Sequence, residues 1–247
     1  MRVWLLVGWL CIWSGSAAAD TARVAVAANF AEPMQALAKL FAAGGHEVVA
    51  SAGSTGQFYA QIKNGAPFDA LLSADRATPE RLEAEGFATT GTRFTYAIGK
   101  LALYSAEANR IGADGPAALR GDFRKLAIAN PELAPYGLAA QQALTALGLW
   151  EALRPKLVLG QNIGQTFQFV ATGNAELGFV ALSQVAGPNA PKSGSRWETP
   201  QSLYRPIAQD AVLLQRGAAN PAARAFLDFL RGDRAREMIA SYGYGVE

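Results

Sequence analysis

The sequence predicts an α/β protein of two lobes, each a mainly parallel sheet flanked by helices, with a ligand cleft between the lobes. Three observations carry that prediction. Apolar strands alternate with apolar-periodic helices along most of the chain. The alternation breaks once near the middle and then resumes. Four of the strand-to-helix junctions share one kind of chemistry.

The first residues stand outside this pattern. Arg2 precedes the apolar run "VWLLVGWLCIW", and "SGSAAAD" then supplies small residues up to Ala17-Ala18-Ala19. That order is the pattern of a secretory signal peptide over residues 1–19, cut before Asp20. The run is too short to span a bilayer of about 30 Å, and Cys11 sits inside it, which argues against a lipid-anchored form. Cleavage removes Cys11, the only cysteine, so the exported chain has no thiol, disulfide or cysteine metal site. It also removes Arg2, leaving 21 Lys and Arg against 20 Asp and Glu, a formal charge of +1. Such a balance gives no basic footprint for nucleic acid. No second stretch is long and apolar enough for a membrane span. The expected product is a soluble exported protein.

"ARVAVAA" (22–28) reads as a buried strand, followed by a helix through "PMQALAKLFAAG" that stops at Gly44-Gly45. "HEVVASA" and "GQFYAQIKNG" repeat the unit, and "FDALLSAD" with "TPERLEAEG" repeats it again, with Pro at the start of the last helix and Gly at its end. Three strand–helix units in a row require a parallel sheet with helices on its faces. "RFTYAIGKLALYS" is then a longer extended stretch with no helix behind it, read as a passage into a second lobe. There "KLAIANP", "YGLAAQQALTALG", "KLVLGQN", "GQTFQFVATG" and "AELGFVAL" alternate strand and helix again. The Pro-, Gly- and Ser-rich "GPNAPKSGSRWETPQS" reads as a surface connection, "YRPIAQDAVLLQ" as a strand, and residues 220–243 as two closing helices. The expected boundaries are 20–96 with 216–247 for the first lobe and 97–215 for the second.

Ligands of open parallel sheets sit beyond the carboxyl ends of the strands, where helices begin. The four junctions are "AANF" (27–30), "AGSTG" (52–56), "APYG" (134–137) and "QNIGQT" (161–166), two from each lobe and none with a Lys or Arg. Unpaired N–H groups and a partial positive charge at four helix starts around one cleft would hold a compact anion. Each residue also has a plainer reading. Asn29 could be an ordinary helix cap, and so could Thr55 with Ser54 beside it. Tyr136 could simply shape a turn, and Ile163, which offers only its N–H, could be a buried apolar residue. Recurrence at four equivalent positions favours the anion.

Catalytic chemistry finds little to stand on. His46 is the only histidine and opens a strand, so it is expected to lie off the cleft. With no cysteine beside it, His/Cys metal clusters are excluded. "GSTG" lacks the central Ser of a nucleophile elbow and the Gly-Lys-Ser/Thr ending of a P-loop. Glu83 and Glu85 fall on the solvated face of a helix.

The four junctions, with the blocks "GSTGQFYAQIKNGAPFDALLSAD", "FTYAIGKLALYS", "IANPELAPYGLAAQQALTALG" and "AELGFVAL" in this order, resemble the periplasmic molybdate-binding proteins of ABC transporters. The similarity runs over essentially the whole exported chain. It implies the type II binding-protein fold, two α/β lobes hinged around an oxyanion, with no enzymatic activity and no cofactor. It implies molybdate and probable tungstate equivalence in the ligand, held without direct protein–metal bonds, and delivery by a monomer to an ABC permease in the inner membrane. By the same resemblance Asn29, Thr55, Tyr136 and Ile163 are oxyanion ligands, with Ala28 and Ser54 beside them. Ala28 stands where some members have Thr, and Ala181 where others place a Tyr on the ligand; Tyr136 is expected to stand in for that phenol. The alternatives are a receptor for another tetrahedral oxyanion such as sulfate, or an exported enzyme on the same fold.

Overall fold

The computed structural model describes residues 21–246, so the expected signal peptide lies outside the described residues. The first lobe opens with strand β1 (Thr21–Ala27), a 3-10 turn (Ala28–Phe30) and helix α1 (Ala31–Ala42). Strand β2 (Glu47–Gly53) leads into α2 (Thr55–Lys63), and β3 (Ala70–Leu72) into α3 (Ala77–Ala84). Strand β4 (Phe94–Gly99) is followed after a single residue, Lys100, by β5 (Leu101–Ser105). The second lobe continues with α4 (Gly115–Arg120), β6 (Leu126–Ala129), α5 (Pro135–Ala146), α6 (Trp150–Leu153), β7 (Leu157–Gly160) and α7 (Ile163–Ala171). Strand β8 (Leu177–Ala181), α8 (Leu182–Ala186) and β9 (Ser195–Glu198) complete it. The chain returns through β10 (Ile207–Leu213) to α9 (Pro221–Leu230) and α10 (Asp233–Ser241).

Ten strands form two five-stranded sheets, ordered β2-β1-β3-β10-β4 and β7-β6-β8-β5-β9. Pairing is parallel for β1 with β2 and β3, and for β6 with β7 and β8; β10 and β5 are antiparallel to both their neighbours. The expected mainly parallel sheets are present. The long extended stretch is two strands, one in each sheet, because the chain leaves the first sheet after Gly99.

The return crossing differs from the expected boundary. β10 belongs to the first sheet, although residues 97–215 were grouped with the second lobe. Its run is almost wholly buried between β3 and β4, and antiparallel pairing lets it join them without a crossover helix. A second difference is β9 inside the expected surface connection. It pairs with β5 as an edge strand, and its alternating exposure places Ser195 and Trp197 inward and Arg196 and Glu198 outward. The helix after β3 also starts earlier than its proline suggests. Asp75 accepts from Thr78 N at 2.8 Å and so caps α3, leaving Pro79 inside the first turn.

Each lobe has its own apolar core. Val24, Val26, Phe30, Met34, Leu72, Phe226 and Leu227 fill the first; Leu101, Leu103, Leu126, Ile128, Leu144 and Phe179 fill the second. Burial of each such side chain contributes about 1.5–3 kcal/mol, enough to make each lobe a rigid platform. The second core continues across the cleft to Ala27 and Ala74, at the ends of β1 and β3.

Candidate anion site

Between the sheets lies a small cavity of about 10 Å3, room for roughly one water-sized sphere. Its wall is Ala27, Ala28, Asn29, Gly53, Ser54, Thr55 and Ala74 from the first lobe, with Ala134, Pro135, Tyr136, Asn162 and Ile163 from the second. All six residues singled out from the sequence therefore meet at one place. The wall has no charged side chain. The starts of α2, α5 and α7, and the turn that opens into α1, converge on it, and the first N–H groups of a helix have no acceptor inside that helix. Each helix start also carries roughly half a positive charge. The cavity is electropositive without a cation.

The "GSTG" loop divides its labour. Ser54 is the cap: its Oγ accepts from Gln57 N at 3.3 Å while Gln57 Oε1 accepts from Ser54 N at 3.4 Å. Thr55 is the first residue of α2 and is not needed as a cap. Its Oγ1 accepts from Ala74 N at 3.0 Å. A hydroxyl that already receives an N–H keeps its one proton to give away, so Thr55 is held as a donor. Ser73 Oγ lies 3.4 Å from the same oxygen and 3.2 Å from Asp75 Oδ1. Burial pushes the Asp75 carboxyl up from its usual value, yet it is turned toward the α3 start and does not line the cavity.

Asn29 commits its side chain to the fold. Its Nδ2 donates to Gln209 Oε1 at 2.8 Å and to Tyr244 OH at 3.0 Å, both away from the helix starts, while Oδ1 is buried without a donor. What Asn29 offers the cavity as a donor is its backbone N–H, in the turn where unpaired amides are expected. Ala28 beside it has no hydroxyl and is in the same position to use only its N–H.

On the other side, Tyr136 is the second residue of α5, after Pro135, whose missing N–H costs nothing there. Its phenol has partners within the fold. The hydroxyl accepts from Gln209 Nε2 at 3.4 Å and passes so close to Gly99 that a Cβ there would lie 2.2 Å from it. Burial first, then the neighbouring Tyr244, holds this phenol well above its usual pKa. Ile163 is the first residue of α7, which Asn162 caps by accepting from Gln165 N at 2.9 Å. Asn162 and Ala74 were missed from the sequence. The Asn-x-x-Gln spacing that marks a helix start was the available signal for Asn162; Ala74 touches Thr55 only through the tertiary fold.

The lobes touch directly around the cavity. Gly56 N donates to Leu133 O at 3.0 Å, Gln57 Nε2 to Gln161 Oε1 at 3.0 Å, and Ser183 Oγ to Asn29 O at 3.1 Å. A wider groove of about 440 Å3 opens beside the cavity, shares Ala28 and Asn29 with it, and is bordered by Glu32 and Phe167. His46 stacks on Phe41 at 5.9 Å, just before β2, whose far end reaches the cavity. Seven strand residues at about 3.3 Å each place it some 20 Å away. Glu83 pairs with Arg93, and Glu85 with Arg81 and Lys63, all outside the cavity wall. Hydrogen bonds from Arg81 and then Tyr59 lower the Glu85 carboxyl to about 2.

Comparison with known proteins agrees with this geometry. The family described as "Bacterial extracellular solute-binding protein" matches residues 22–245. The "Molybdate-binding protein ModA" of Azotobacter vinelandii is 53% identical over 233 residues, 94% of this chain and 92% of that protein. Its namesake from Rhodobacter capsulatus is 50% identical, over 94% of this chain and 90% of its own. The solved Azotobacter vinelandii periplasmic molybdate-binding protein superimposes with a TM-score of 0.88 at 43% identity, covering 92% of this chain and 99% of that one.

Proposed function

The chain belongs to the bacterial extracellular solute-binding proteins, and from that membership we propose that its closed cavity captures molybdate in the periplasm for an ABC transporter. One observation carries the reading: a cavity walled by uncharged residues, at four helix starts, with one hydroxyl held as a donor. At neutral pH molybdate is a dianion with acceptor oxygens and no proton to give. Backbone N–H groups and the Thr55 hydroxyl satisfy it, and a carboxylate in the wall would repel it. Removal from water strengthens each of these bonds, because the effective dielectric falls well below that of bulk solvent.

The finer parts of the proposal follow from the same chemistry. The ligand contacts are the N–H groups of Ala28, Asn29, Thr55, Tyr136 and Ile163 with the hydroxyls of Thr55 and Ser54. Tungstate, similar in charge and size, binds as molybdate does. The protein acts as a monomeric receptor and delivers its cargo to the permease unchanged. Among the described residues no helix is long and apolar enough to cross a membrane, in keeping with a receptor carried to its site by an N-terminal signal peptide.

Calorimetry of residues 20–247 against four oxyanions tests the reading. Molybdate and tungstate are expected to bind one per chain, and sulfate and phosphate at least about 100-fold more weakly, a gap of roughly 2.7 kcal/mol. Sulfate binding as tight as molybdate would replace this assignment with a general receptor for tetrahedral dianions.

A further inference from the structure

Beneath the cavity a chain of buried polar side chains joins the two lobes, and no side chain in it is among the proposed ligand contacts. Asn29, Tyr96, Gln209 and Tyr244 belong to the first lobe, Tyr136 and Ser183 to the second, and all six are buried. Tyr244 is its centre. Its hydroxyl donates to Asn29 O at 2.8 Å, accepts from Asn29 Nδ2 at 3.0 Å, and lies 3.0 Å from Ser183 Oγ. Ser183, at the start of α8, also reaches Asn29 O, at 3.1 Å.

Tyr244 is fixed from behind. Gly245 exchanges both backbone hydrogen bonds with Ile98 of β4, at 2.7 and 2.9 Å, and the Tyr244 ring meets Phe30 edge-on at 5.4 Å. The last turns of the chain are thereby tied to the strand that leads out of the first lobe. Two partners of the Tyr244 hydroxyl, Ser183 and Tyr136, belong to the other lobe. Opening the cleft must break those contacts and the Ser183 Oγ–Asn29 O bond, whereas the bonds from Tyr244 to Asn29 remain.

We infer that Tyr244 and Ser183 form a hydroxyl latch that holds the cleft closed and sets how fast the cargo leaves, without touching it. Both are positioning residues. The inference rests on the cavity being the molybdate site. Tyr96 provides the contrast, because its hydroxyl bonds only within the first lobe, to Ser73 O at 3.0 Å and Gln209 Oε1 at 3.1 Å.

Release of radiolabelled molybdate, chased with unlabelled molybdate, tests the latch in Tyr244→Phe, Ser183→Ala and the control Tyr96→Phe. A buried neutral hydrogen bond predicts release about two- to tenfold faster in each latch variant. The double variant should be faster than either single, but by less than the product of the two. The singles share the Tyr244–Ser183 contact, while Ser183 also bonds Asn29 O and Tyr244 also meets Tyr136. Tyr96→Phe should lower the melting temperature yet leave release within about twofold of the parent. Parent-like release from Tyr244→Phe, or equal acceleration in Tyr96→Phe, overturns the latch. A parent that binds no molybdate in calorimetry overturns the assignment of cargo instead. The latch is then read without cargo, from spin labels at the exposed Gln61→Cys and Ala171→Cys positions of α2 and α7. Longer distances in Tyr244→Phe than in the parent support it, and identical distributions refute it.

Discussion

In the first sheet β2, β1, β3 and β4 run one way and β10 the other; in the second, β7, β6, β8 and β9 run one way and β5 the other. In both, the reversed strand is the one on which the chain arrives from the opposite lobe. Each sheet sends two helix starts to the cavity. Their chemistry is nonetheless unequal. The first lobe supplies the hydroxyls of Ser54 and Thr55, the latter oriented by Ala74. From the second lobe come backbone N–H groups at Tyr136 and Ile163, with the phenol turned away. A common architecture thus separates two tasks. One half presents hydroxyls to the cavity, and the other lines it with the backbone of two helix starts.

The sharpest way to break this division is through two glycines at equivalent helix starts. At Gly137 a Cβ would lie 2.2 Å from Ala129 O, inside its own lobe. Gly137→Ala should therefore displace the α5 start and cost on the order of 3 kcal/mol of folding stability, seen as a lower melting temperature without ligand. If Gly137→Ala melts like the parent, the second lobe's backbone is not rigid enough to define the enclosure.

Next in size is Thr55→Val, which keeps the shape and loses the donor. A hydrogen bond to a charged group contributes about 1.5–3 kcal/mol, so affinity for molybdate should fall roughly 10- to 150-fold, with Thr55→Ser close to the parent. Thermal melts with and without molybdate report it, since a ligand bound only to the folded form raises the midpoint according to its affinity. An unchanged ligand-induced shift in Thr55→Val would erase the contrast between the lobes. Ser54→Ala should differ by adding to its loss of affinity a loss of about 1 kcal/mol of stability through the cap.

Gly56→Ala is subtler. Its Cβ would meet Leu133 O of the other lobe at 3.0 Å, opposing closure rather than folding. The melting point without ligand should hold and affinity drop by about 1 kcal/mol, or fivefold. A drop in the unliganded melting point would place the strain within one lobe.

The smallest expected effect is that of pH. Backbone amides and Thr hydroxyls do not ionise between pH 6 and 9, so affinity should be flat there by calorimetry. A step in that range abolished by His46→Ala would contradict the cavity described. At higher pH the latch responds. Burial raises the Tyr244 hydroxyl to about 12, above the unfolded value of about 10. Its contribution is complete below pH 10 and is lost as pH rises through 12, so melting temperatures should fall over that window.

Helix starts were legible because their signals are local. Asn29, Thr55, Tyr136 and Ile163 follow apolar strands and sit among Gly, Pro and hydroxyl residues, and strand-end geometry brings them to one cavity. The direction of a side chain was not legible. The Tyr136 phenol turns away because Gly99, far off in sequence, leaves room for it. Gln209, Ser183 and Tyr244 carry no local mark at all, since their meaning comes from meeting across 215 positions or fewer. β9 was hidden for a related reason: its short run, "SRWE", has one large apolar residue and lies within turn-forming sequence.

The tightness of the cavity governs how cargo can change hands. With Gly56 bonded to Leu133, Gln57 to Gln161 and Ser183 to Asn29, the lobes are joined around a cavity with room for about one water-sized sphere. Exchange then waits on separation of the two sheets, because the contacts between them must part before an anion can enter or leave. The rate of that separation, rather than diffusion through the wall, sets the pace at which cargo changes hands.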